Sequence, residues 1–280
     1  MLHAISYWSM KDGLAGTHPI ADALAQARTA GFDALELCIG LKGVLTPHTS
    51  LAQCRTMRRQ VEASGLAVQT LASGMSWSAS PTHPSAVVRR RAVALHQAAL
   101  ERAAWLGCQA MLFVPGAVLV PWDPSYPPVR YDQAVTWARQ AVRALARTAA
   151  RVKVDLCVEN VWNGLFYSPL EFRDFIASFG HERVKAYFDV GNVLGYHQHP
   201  QHWIELLGRR IGRVHIKDFK RSAGNLAGFC DLGEGDVNWP AVAAALKKVG
   251  YRDTVVAEMM PWRPDLLAKT ARALKRLLPA

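Results

Sequence analysis

The sequence predicts a single (β/α)₈ barrel, and three observations carry that prediction. Eight short apolar, β-rich runs alternate with eight longer helical stretches, which implies right-handed βαβ units and a parallel sheet. No linker of distinct composition interrupts the 280 residues, so 1–280 reads as one domain. The turn after the first strand reads SYWSMKDG, without the G-x-G-x-x-G that a doubly wound, dinucleotide-binding sheet places there. Eight such units close naturally into a barrel.

The first strand is HAISYW (3–8), and the first helical stretch spans 18–30. It stops at the phrase AGFD, and ALEL (34–37) follows as the second strand. Helix 50–64 stops at SG before LAVQTLA (66–72), and helix 85–106 stops at LG before AMLFV (110–114). In each phrase glycine ends the helix, because it takes the left-handed conformation there without penalty. Helix 131–152 leads into VDLCVE (154–159), 169–179 into VKAYFD (184–189) and 200–208 into GRVHIK (212–217). Helix 239–249 stops at VGYR before TVVAEM (254–259), and 265–278 closes the ring.

Half the residues are apolar and a fifth are charged, a globular composition and not a disordered one. The start, MLHAISYWSM, lacks the basic region and apolar core of a signal peptide. The longest apolar stretch, 110–122, is broken by Pro115, Gly116 and Pro121 and is too short to cross a bilayer. Five cysteines (38, 54, 108, 157, 230) form no C-x-x-C pair, which argues against a disulfide framework or structural zinc. A cytoplasmic protein without a membrane partner is expected. The net charge of +11 comes largely from arginines on 87–105 and 138–153. These read as solvated helix faces, with attraction of phosphorylated ligands as the alternative.

Barrels place their chemistry at the carboxyl ends of the strands. There Glu159 closes VDLCVE, Asp189 closes VKAYFD, His215 lies near the end of GRVHIK and Glu258 closes TVVAE. Singly, each fits an ordinary structural role: an ion pair, a turn cap, a hydrogen-bonded core histidine. Together, four consecutive apolar strands each deliver a metal-competent group to one rim, where a lone buried carboxylate would be costly. Three oxygen donors and one imidazole suit one divalent ion, Mn²⁺ or Co²⁺ ahead of Mg²⁺, Zn²⁺ or Fe²⁺.

The segments ENVWN (159–163), YFDVGN (187–192), RVHIKDFKR (213–221), LGEGDVNWP (232–240) and VVAEM (255–259) resemble the xylose isomerase-like TIM-barrel superfamily. Within it they are most similar to the sugar phosphate isomerase/epimerase branch, the L-ribulose/L-xylulose-5-phosphate 3-epimerases and ketose 3-epimerases. The similarity runs over almost the whole chain and includes SGMSWSASPTHPS (73–85) and VPG (114–116). The resemblance implies one divalent metal on Glu159, Asp189, His215 and Glu258. It implies an isomerase in which Glu159 and Glu258 exchange acid and base roles as a ketose is epimerised at C3 through an enediolate. It also implies a small-molecule sugar or sugar phosphate as substrate, and a homodimer or homotetramer.

Asn192 falls where the resemblance implies a substrate contact, with turn capping as the alternative. Glu36 closes the second strand and either binds substrate or braces a neighbour. Trp8, with His3 and Tyr7, lines the pocket or packs. Lys217, Lys220 and Arg221 face an anionic end of the substrate or simply solvate the surface. The histidines of GYHQHPQHW (195–203) read as exposed loop residues. An endonuclease IV-type nuclease would require further histidines. This chain has FVPG at the fourth strand end, Asn192 after Asp189, and GFCDL at 228–232, so no nucleic-acid partner is expected. An inosose dehydratase-like enzyme or an aldose–ketose isomerase uses similar ligands and stays open. A non-catalytic sugar-binding barrel is disfavoured by the two glutamates.

Overall fold

In the computed structural model, which describes residues 1–279, eight parallel strands hydrogen-bond into a closed ring. In chain order they begin β1 (His3–Ser6), β2 (Ala34–Ile39), β3 (Thr70–Ser73) and β4 (Ala110–Phe113). The ring continues through β5 (Asp155–Glu159), β6 (Val184–Asp189) and β7 (Ile211–Ile216). A two-stranded antiparallel ribbon then follows, β8 (Asp218–Phe219) with β9 (Phe229–Cys230). The last barrel strand, β10 (Val255–Ala257), pairs with both β7 and β1 and closes the ring. Helices α1 (Ile20–Ala30), α2 (Leu51–Ser64), α3 (Ala86–Leu106), α4 (Tyr131–Val152), α5 (Pro169–Ala177), α6 (Pro200–Leu207), α7 (Trp239–Lys248) and α8 (Leu266–Leu277) alternate with the strands.

The barrel strands are buried almost throughout because helices cover their outer face, which is why they read as apolar runs instead of alternating ones. α1, α2 and α3 end where the sequence expects, on Gly31, Gly65 and Gly107 in left-handed conformations. Several strands are shorter than the sequence suggests, most of all β1, β3 and β10, the last reduced to Val255–Ala257 from the expected 254–259. β1 stops at Ser6, whose hydroxyl accepts the Trp8 N–H and caps a tight turn over Tyr7–Ser9. The third run meets β2 first through a single bridge, Ala67 to Ala34, and forms a continuous strand only from Thr70. The ribbon of β8 and β9 escapes sequence patterning because each strand has two residues.

Arg90, Arg91, Arg143 and Arg147 are on the outer faces of α3 and α4, so much of the basic excess is a solvated helix face. Among the described residues no helix is long and apolar enough to cross a membrane.

Register positions the site. β6 and β7 set Asp189 opposite His215, and β5 and β6 set Glu159 opposite Tyr187. β7 and β10 set Ile216 opposite Ala257, so Glu258 leaves the barrel one residue later.

Candidate functional site

At the carboxyl ends of β5, β6, β7 and β10, Glu159, Asp189, His215 and Glu258 each offer a ligand atom, all within 4.8 Å of one another. All four are buried, with Asp189 and His215 at 0 % exposure, Glu159 at 4 % and Glu258 at 7 %. His215 anchors the group through its Nδ1, 3.2 Å from Glu159 Oε1 and 2.9 Å from Glu258 Oε2. Its other nitrogen, Nε2, lies 2.9 Å from Glu36 Oε1. Tyr187 donates its hydroxyl to the second Glu36 oxygen, and Thr70 Oγ1 approaches the same oxygen at 3.5 Å. Burial and the facing Glu36 carboxylate hold Tyr187 protonated, well above its ordinary value, so it acts as a donor. Burial alone would lower the His215 pKa, but Glu36 and Glu258 outweigh it and raise the pKa well above the ordinary value.

Asp189 is held by two asparagines. Asn160 grips its backbone, with Oδ1 accepting Asp189 N–H at 2.8 Å and Nδ2 donating to Asp189 O at 3.0 Å. The Asn192 N–H donates to Asp189 Oδ1 at 2.8 Å, and Asn192 Nδ2 donates to Asn160 O at 3.0 Å. That leaves Asp189 Oδ2 buried without a hydrogen-bond partner among the described residues. Such an atom is rare unless an ion or water serves it.

A lysine also reaches into the cluster. Lys217 Nζ lies 2.9 Å from Asp189 Oδ2 and 2.9 Å from Glu258 Oε2, though off-line for a hydrogen bond to the former. Gly191 permits this approach, since a methyl there would come within 2.6 Å of Lys217 Cβ. Lys217 accounts for the difference between the two glutamates. Burial drives the Glu159 carboxyl upward, and His215 only partly opposes it. Burial also acts on Glu258, but Lys217 and His215 overcome it and hold this carboxyl low. Both carboxyls face one imidazole nitrogen, so protonating either changes the other.

The next residue, Asp218, works outside the cluster. Its carboxylate accepts the N–H of Gly233 at 2.8 Å, of Val237 at 3.2 Å and of Trp239 Nε1 at 3.0 Å. It thereby pins the LGEGDVNWP segment beside the rim.

A cleft of about 900 Å³ opens over this rim, and Glu159, Glu258, Lys217, Asn192, Trp8 and Trp162 all line it. Other residues singled out in the sequence lie elsewhere. Glu36 is fully buried beneath His215 and does not line the cleft, so the bracing role is the one its geometry supports. Arg221 points away, with Nη2 3.4 Å from Gln198 O and its N–H bonded to Asp236 at 2.7 Å, and Lys220 is exposed outside the cleft. His3 Nε2 packs 2.7 Å from Leu278 O, at the far end of the chain. His197, His199 and His202 are exposed. Sequence reasoning missed Asn160, Tyr187 and Thr70, whose roles depend on partners 29, 151 and 34 residues away. The asparagine following Glu159 was the one available signal.

Three carboxylates and one imidazole, with Asp189 Oδ2 met only by the charge of Lys217, form a donor set that could hold a divalent ion. With Nε2–H of His215 given to Glu36, Nδ1 is the nitrogen that could meet an ion, an arrangement like that in which a carboxylate fixes a metal-binding histidine.

A family model described as xylose isomerase-like TIM barrel matches residues 24–277. No curated protein matches the sequence. Among solved structures, D-psicose 3-epimerase from Clostridium cellulolyticum H10, determined with D-tagatose, is 19 % identical over 99 % of this chain and 98 % of its own, with a TM-score of 0.82. An L-ribulose 3-epimerase is 21 % identical over 99 % and 93 %, with a TM-score of 0.77. A 3-keto-D-glucoside 4-epimerase from E. coli is 16 % identical over 99 % and 98 %, also at 0.77. At these identities the likeness is one of fold.

Proposed function

The chain belongs to the xylose isomerase-like TIM-barrel family, and from that premise we propose that it is a metal-dependent isomerase that epimerises a ketose at C3. One observation carries this reading. Asp189 and His215 are fully buried behind the rim, whereas Glu159 and Glu258 both sit in the cluster and line the cleft. Two of the four groups can therefore meet a substrate while all four can meet an ion. The solved structures of similar fold include ketose 3-epimerases, which supports the same reading.

A divalent ion on Glu159, Asp189, His215 and Glu258, Mn²⁺ or Co²⁺ for this donor set, would supply positive charge beside the sugar oxygens. The residues themselves account for proton movement. One glutamate removes the C3 proton next to the carbonyl, and the other returns a proton to the opposite face. Lys217 adds a fixed positive charge next to Glu258, which favours Glu258 as the ionised member of the pair. Trp162 donates Nε1–H to Asn192 O at 2.8 Å and so ties the wall of the cleft to the loop carrying the Asp189 clamp. The five free cysteines fit a reducing, cytoplasmic setting.

The test is incubation of the Mn²⁺-loaded protein with free and phosphorylated ketoses in D₂O. Deuterium at C3 together with the C3 epimer is the expected result. Loss of water from the product would replace the epimerase with a dehydratase.

A further inference from the structure

The cleft extends well beyond the carboxylates, and its extension is aromatic. Trp77 meets Trp122 edge to face, with ring centroids 4.7 Å apart and planes at 69°. A methyl placed on Gly74 would stand 3.4 Å from Trp8 and 3.7 Å from Trp77, so these two indoles flank the same stretch of backbone. Trp8, Trp77 and Trp122 thus form one continuous wall lining the cleft. It runs from the half-buried Trp8 and Trp77 to Trp122, which is 48 % exposed at the mouth.

Size and charge limit what this wall can bind. A volume of about 900 Å³ is at the upper end of what drug-sized ligands occupy. A single sugar held at the carboxylates leaves much of it unfilled. Among the described residues only two cations line the cleft: Lys217, committed to Asp189 and Glu258, and Lys42, exposed on the rim. A phosphate lying along the wall would find no guanidinium in the cleft, and the exposed Lys42 as its one uncommitted ammonium among the described residues.

We propose that the tryptophan wall is a second sugar subsite, and that the substrate is an unphosphorylated keto sugar bearing a further sugar ring. The reacting carbons rest at Glu159 and Glu258, and the second ring lays its C–H face on Trp77 and Trp122. The half-exposed position of Trp122 suits a sugar, which stacks one face on the indole and keeps its hydroxyls in water. The chemistry assigned to the first ring rests on the epimerase reading; the binding of the second does not.

The experiment titrates Mn²⁺-loaded protein with D-fructose, D-fructose 6-phosphate, isomaltulose (glucose on fructose O6) and trehalulose (glucose on fructose O1). Tryptophan fluorescence reads binding, and NMR in D₂O reads deuterium at the fructosyl C3. One glucosyl-fructose should bind at least about tenfold more tightly than fructose, a difference of roughly 1.4 kcal/mol. Trp122→Ala, a change at an exposed position, should bring the ratio of the two Kd values close to one, and Trp77→Phe should reduce it. If neither glucosyl-fructose outbinds fructose, or if fructose 6-phosphate binds best, the subsite is overturned. In that case deuterium at C3 of fructose would leave the epimerase reading standing alone. Tight disaccharide binding that Trp122→Ala removes, with no deuterium at C3 of any sugar, would uphold the subsite and overturn the reaction.

Discussion

Glu36 accepts the Nε2 proton of His215 at 2.9 Å from beneath the rim, and both residues are fully buried. This bond fixes which imidazole nitrogen faces the three carboxylates. Glu36→Gln keeps the shape but weakens the acceptor and the tautomer preference. Mn²⁺ affinity, measured by calorimetry, should fall about 10–100-fold, the usual cost of losing such a partner. Unchanged affinity would show that the histidine needs no brace.

On the proposed mechanism Glu159→Gln and Glu258→Gln should each lower kcat at least about 10³-fold, because each would remove a proton-transfer group as well as a charge in the cluster. Full activity in either variant, measured at saturating Mn²⁺, would sink the two-carboxylate mechanism.

Lys217 is the one ammonium among these carboxylates in the described residues, and it is only 12 % exposed at the side chain. Lys217→Met leaves Asp189 and Glu258 without their counter-charge. In the metal-free protein this should cost about 3 kcal/mol, as for other broken buried ion pairs. Saturating Mn²⁺ should restore part of that loss, because the ion supplies the missing charge. Thermal melts of both proteins with and without Mn²⁺ test this. An equal loss in both conditions would mean that Lys217 acts by packing alone.

His96, on α3, is buried away from the cleft, with Nδ1 2.8 Å from Ala92 O and Nε2 3.2 Å from Ser73 Oγ. Burial lowers its pKa from 6.5 to about 4, against the opposing pull of the Ala92 carbonyl. The unfolded chain therefore takes up a proton over a range where the folded protein refuses it. Stability is full above about pH 6.5, falls as pH drops from there toward 4, and loses nothing further from this residue below that. The loss amounts to about 3 kcal/mol. Urea midpoints between pH 7 and 4 should fall more steeply for the natural protein than for His96→Gln. Parallel curves would remove His96 as the cause.

The parts of this architecture that are written locally were legible in the sequence. Alternating elements pointed to the barrel. Strand-terminal Glu159, Asp189, His215 and Glu258 pointed to the cluster, because a charged group closing a buried apolar strand is costly unless a partner or an ion meets it. What the sequence could not show depends on distance. The bond between Glu36 and His215 spans 179 residues, and no local pattern reveals that a second-strand glutamate lies beneath a seventh-strand histidine. The charges of KDFKR look alike in sequence, yet Lys217 turns into the cluster, Asp218 pins a neighbouring loop and Arg221 leaves the cleft. Trp77 and Trp122 gave no signal of their own, since they join one wall only when β3 and β4 lie side by side.

The barrel divides its rim in two. Glu159, Asp189, His215 and Glu258 come from β5, β6, β7 and β10, whereas Trp8, Trp77 and Trp122 follow β1, β3 and β4. The indoles and the ionisable cluster therefore stand on different strands, and exchanging an indole removes no group from the cluster. A combinatorial library confined to Trp77 and Trp122 should change which sugars are bound while leaving Mn²⁺ affinity, read by calorimetry, where it is in the natural protein.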